Sequence, residues 1–154
     1  MIPDGLSLCV CCCLARGAPA DAAAVLHGWD DRRSAAWAAG EPAGLRDLYV
    51  PGSAAGRVDA AMLRAWQRRG LRVQGMRMQL LDLDVRRATA DRLDLVVTDR
   101  LTGAEAVGPG VRLPLPRDGA TTRRIVLVRS SDGWRVAQAS AVRTTSWTVE
   151  SRNE

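Results

Sequence analysis

The chain has 154 residues, 47% of them apolar and 25% charged, which fits one domain with a real core and excludes global disorder. It carries a formal charge of +5, and every basic residue is Arg. The arginines are spread among acids, with only short pairs such as Arg123-Arg124 and no aromatic interleaving, so a nucleic-acid partner is not expected.

All four cysteines lie near the start, in Leu6-Ser7-Leu8-Cys9-Val10-Cys11-Cys12-Cys13-Leu14. Neighbouring thiolates cannot easily converge on one tetrahedral ion, and no second Cys or His cluster completes a site, so neither metal nor other cofactor is expected. The run is too short to span a bilayer but fits the apolar part of an export signal, and Ala18-Pro19-Ala20 supplies a cleavage-like pattern. A cationic start is missing, since Asp4 sits where a positive charge belongs. Residues 1–20 are therefore expected to be a signal-like or truncated anchor segment, giving an extracytoplasmic protein that meets a membrane only through that segment.

Asp21 is positioned to cap a helix that Gly40 ends, with Val25, Leu26, Trp29, Arg33, Ala36 and Trp37 on one face. Asp30, Asp31, Arg32 and Ser34 are expected mostly on the other face, and His27 lies off the stripe. A short helix over 43–48 stops at Pro51-Gly52. A third, over 57–69, has Asp59 in its first turn and Met62, Leu63 and Trp66 as its buried stripe. Two long strands follow, 75–87 and 92–101, turning at 88–91. In the first, the apolar side switches near Leu80-Leu81, which calls for a bulge, and Asp82 and Asp84 are expected to face solvent; Gly75 is a second kink. A short strand over 104–107 precedes a stretch, 108–119, whose Pro and Gly content predicts a loop. Strands over 122–129 and 134–141 close the chain around the Asp132-Gly133 turn. Beyond Thr144 the pattern is lost, so a domain over 21–142 and a flexible tail over 143–154 are expected.

Three stretches carry a resemblance: Trp37-Ala38-Ala39-Gly40-Glu41-Pro42 through Leu45 to Tyr49, the long hairpin, and Gly133-Trp134-Arg135-Val136-Ala137. Their order resembles the NTF2-like superfamily, which includes ketosteroid isomerase and SnoaL-type cyclases, and is similar to exported proteins of GC-rich actinobacteria. The resemblance implies an α+β cone, with N-terminal helices packed on a strongly curved, mainly antiparallel sheet that encloses a pocket. Many such domains are not enzymes; the enzymes among them line the pocket with a carboxylate base.

On that reading Asp99 shares a strand face with Leu93, Leu95, Val97 and Leu101 and points inward. It is a candidate base with Tyr49 as its partner, or else a strand-end acid that is solvated or paired to an Arg. Trp66, Asp99 and Gln138 are the candidate pocket lining. A non-catalytic binding or interaction module is expected, with an unknown protein or a small apolar ligand as partner and a possible homodimer through the sheet face. The alternative is a SnoaL-like isomerase or hydrolase working through the pocket carboxylate.

Overall fold

The computed structural model describes residues 20–142; the signal-like segment up to residue 19 and the tail expected over 143–154 lie outside them. Helix α1 spans Ala22–Ala39, capped by the Asp21 carboxylate on the Ala24 N–H at 3.1 Å and stopped at Gly40, whose φ of 69° favours glycine. Helix α2 is one turn, Pro42–Arg46, and α3 spans Ala54–Arg68. The third helix starts three residues before the expected position, because the Ser53 hydroxyl accepts from the Gly56 N–H at 3.0 Å.

Seven strands follow: β1 Arg72–Gln74, β2 Arg77–Ala88, β3 Arg92–Thr102, β4 Glu105–Gly108, β5 Val111–Pro114, β6 Thr121–Ser130 and β7 Gly133–Ala141. They form two antiparallel sheets, ordered β1-β4-β5 and β2-β3-β6-β7. The small sheet departs from expectation twice. An additional strand, β1, precedes the first predicted one, and Gly75, at φ 70°, separates it from β2. The Pro- and Gly-rich stretch after β4 is no plain loop either, since Val111–Pro114 pairs with β4 through a turn at Pro109-Gly110. Prolines are tolerated there because β5 is an edge strand. Gly75 and Gly103 face each other so closely that a Cβ on Gly75 would lie 2.7 Å from the Gly103 carbonyl oxygen.

The bulge expected near Leu80-Leu81 is present: Leu80 pairs with Asp99 and Asp82 with Thr98, leaving Leu81 extra. A second irregularity leaves Arg86 unpaired, and Asp82 and Asp84 are exposed as expected. Bulges of this kind bend a strand and increase its twist, which wraps the large sheet around the helices. The core lies between, with Leu26, Trp37, Leu45, Leu63, Leu93, Leu95, Leu127 and Val136 essentially inaccessible. Each such side chain contributes about 1.5–3 kcal/mol by leaving water.

The α1–β7 side is closed by the segment after α2. Val50 N–H donates to the Val136 carbonyl at 2.9 Å and Val136 N–H to that of Leu48 at 2.8 Å, so this loop runs as a parallel partner to β7 around Tyr49. The Trp29 indole N–H also donates to the Leu48 carbonyl at 2.8 Å. This is the α+β arrangement expected: helices first, then bent antiparallel sheets against which they pack.

Candidate functional site

The helical layer is joined by one carboxylate. Asp59 lies on the same α3 stripe as Leu63, so it faces α1 rather than water and is 6% exposed. Arg33 and Trp37 are four residues apart on α1, which puts both over the same spot. Oδ1 of Asp59 accepts from Arg33 Nη2 at 2.6 Å and from the Trp37 indole at 3.1 Å. Its Oδ2 accepts from Arg33 Nε at 2.8 Å and from the Tyr49 hydroxyl at 2.8 Å. Four donors fill the acceptor sites a carboxylate offers.

Burial would by itself lower the Arg33 pKa, but the hydrogen bonds and charge of Asp59 outweigh it and hold the guanidinium above its usual range. Burial, then the Asp59 charge, raises the Tyr49 phenol well above its ordinary value, so it stays a neutral donor. The Tyr49 ring meets Trp29 edge-on, centroids 5.5 Å apart, and Arg33 lies 5.8 Å from the Trp37 ring centre.

Beside this cluster a half-open cavity of about 350 Å³ enters between α1, α3 and the large sheet. Its wall is mostly apolar, with Ala55, Val58, Met62, Ile125, Val136 and Ala139. Met62, expected in the buried stripe, is half exposed at the rim. A second cleft of about 490 Å³ shares Arg33, Met62, Met78 and Arg123 with the first and reaches Asp30 and Asp99.

Asp99 is 2% exposed and points inward, as expected. Arg123 on the neighbouring strand donates to its Oδ2 at 2.5 Å, so an arginine partner does meet it. Asp30 corrects the expected helix polarity: it is 7% exposed on the buried side of α1, and its Oδ2 accepts the Met78 N–H at 2.8 Å. Burial raises its pKa, assisted by the charges of Asp31 and Asp99 and opposed by the Met78 N–H and Arg33.

The sequence-derived candidates are therefore not brought together. Tyr49 lines the cavity but hydrogen-bonds Asp59, not Asp99. Trp66 lines neither cavity; it packs at the core edge with the Arg69 guanidinium 4.9 Å from its ring centre. Gln138 is exposed on the outer face, its amide 3.4 Å from the Ser140 hydroxyl. The reason is a bulge: Val126 pairs with Gln138 and Leu127 with Val136, so Ala137 is extra and the alternation reverses between Val136 and Gln138. His27 is exposed on α1, off the stripe.

Asp59 and Asp30 were missed. Asp59 was discoverable as an acid three and four residues before Met62 and Leu63, on the stripe they define. Asp30 lies one position from Trp29, where helical angle alone does not fix burial. Among the described residues no group of His, Cys, Asp and Glu has metal-site geometry, and no helix is long and apolar enough to cross a membrane.

No known family model matches the sequence, and no curated protein does. Solved structures do match in fold. The intermembrane-space region of chloroplast protein ARC6 aligns with a TM-score of 0.52 and 17% identity, over 79% of this chain and 93% of that one. A putative dehydratase of the NTF2-like family from Streptomyces avermitilis aligns with a TM-score of 0.47 and 18% identity, over 79% and 97% of the two chains. At these identities the likeness speaks to architecture: this chain has the α+β fold of helices on bent antiparallel sheet that the ARC6 region also has.

Proposed function

We propose that the chain is a non-catalytic NTF2-like binding module, exported, that holds a small uncharged apolar molecule in the cavity beside Asp59. One observation carries this reading: each charged group on that cavity wall, Arg33, Asp59 and Arg123, already holds an ion-pair partner within the protein. Asp59 is filled by four donors, Arg33 is held by it, and Arg123 is paired through Nη2 to Asp99 behind the wall, while its Nε is shut away from solvent without a partner. What is left for a ligand is aliphatic wall, and burial of apolar surface supplies its affinity. Export is supported by the apolar run before Ala18-Pro19-Ala20.

The test is titration of the full chain with neutral N-phenyl-1-naphthylamine, followed by its fluorescence. Ala139→Phe fills the cavity and is expected to abolish the signal while the circular dichroism of the fold persists. Undiminished binding in that variant would refute the assignment.

A second reading, an isomerase or hydrolase using a pocket carboxylate, is favoured by one observation at Asp30 rather than Asp99. Oδ1 of Asp30 has no donor among the described residues, and burial pushes this carboxyl upward, toward where a general base works best. Deuterium exchange into an enolisable cyclic ketone, present in the native chain and lost in Asp30→Asn, would support it; no exchange above buffer would remove it.

A further inference from the structure

On the other side of Tyr49 a separate cleft of about 470 Å³ runs between the α2–α3 loop, α3 and β7. Four guanidiniums border it: Arg46 at the end of α2, Arg57 and Arg64 two turns apart on α3, and Arg135 on β7. Asp47 is the one acid on its wall. Tyr49, Val50, Pro51 and Ala60 supply an apolar side.

These charges are under-used by the protein. Among the described residues Arg46 and Arg64 make no ion pair and no side-chain hydrogen bond. Arg57 donates only to the Gly52 carbonyl. Arg135 has a long contact, 3.3 Å, to an exposed Asp132, while its Nε is buried with no partner. The first turn of the 15-residue α3 opens on the same cleft at Ser53 and Gly56, so its dipole adds to the positive field. The arginine fork matches carboxylate and phosphate geometry, and the apolar side matches a short hydrocarbon body.

We propose that this cleft binds a small organic anion, a phosphomonoester or a free carboxylate on an aromatic or aliphatic body, independently of the cavity beside Asp59. The full chain is titrated calorimetrically with phenyl phosphate, and with inorganic phosphate and phenol as controls. Phenyl phosphate is expected to bind more tightly than either control, because only it uses both sides of the cleft. Arg46→Ala/Arg64→Ala, at exposed positions, is expected to weaken it about tenfold or more, as lost charge-assisted hydrogen bonds would. Arg68→Ala/Arg92→Ala removes the same charge away from the cleft and is expected to leave binding unchanged. Equal weakening by the two double variants would reduce the effect to net charge and overturn the site. So would phenol binding as well as phenyl phosphate, or an acidic peptide or oligonucleotide binding the full chain when phenyl phosphate does not. Naphthylamine binding is expected to survive Arg46→Ala/Arg64→Ala, so the two sites stand or fall separately.

Discussion

Asp59→Ala would strip four hydrogen bonds from the helical layer at once. It leaves the Arg33 guanidinium, about one-fifth exposed, without its carboxylate, and orphans the Trp37 indole N–H and the Tyr49 hydroxyl. Removing one partner of a buried ion pair costs about 3–5 kcal/mol, and each unsatisfied neutral donor about 1–3 kcal/mol. These do not add, because water entering from the adjoining cavity can reach part of the gap, so about 3–5 kcal/mol is the expected total. That is a large share of the roughly 5–15 kcal/mol by which a domain of this kind is stable, and corresponds to a fall in Tm of about 10–20 °C. Urea unfolding followed by tryptophan fluorescence measures it, with Trp29 and Trp37 reporting from beside the cluster. Arg33→Leu/Asp59→Leu removes both charges and is expected to lose less than Asp59→Ala alone. A loss below about 1 kcal/mol in Asp59→Ala, with an unchanged urea slope, would refute the claim that this carboxylate locks the helices.

Arg123→Ala leaves Asp99 buried without its guanidinium and is expected to cost about 3 kcal/mol, while Arg123→Ala/Asp99→Asn recovers part of it; equal losses in the two variants would contradict the pairing. Gly75→Ala combines a φ of 70° with a Cβ only 2.7 Å from the Gly103 carbonyl oxygen, and a loss of about 2 kcal/mol or more in urea is expected. Asp30, whose pKa is raised by burial, favours its protonated form in the fold. Its contribution to stability is full below the ordinary value of 3.8 and is lost as pH rises through the higher folded value. Asp30→Asn keeps an oxygen for the Met78 N–H but does not titrate, so its stability relative to the native chain should improve from about pH 4 to pH 7; a flat difference would show that Asp30 is not strained.

The elements set by local chemistry were legible. Asp21 and Gly40 bound α1 as cap and stop residues do anywhere, Asp132-Gly133 turns β6 into β7, and the swapped apolar side at Leu81 marks a bulge. What local pattern misses is what distant partners decide. Val111–Pro114 becomes a strand because β4 offers an unpaired edge, a fact about another segment. Gln138 was misplaced because the bulge at Ala137 carries no Gly or pattern break of its own. Asp59 looked like an ordinary first-turn acid on α3; only the fold brings Arg33, Trp37 and Tyr49 to it.

The pairing of Val50 with Val136 has a consequence for how this chain reaches its structure. The two are separated by most of the domain, so the contact belongs among the last that a growing or refolding chain can make. Until β7 is available, the loop carrying Tyr49 has no backbone partner along the sheet margin, and the margin itself is open to association with other chains. A nascent chain held on the ribosome before Val136 emerges should therefore be protease-sensitive around residues 48–52, and closing that seam would mark completion of the domain.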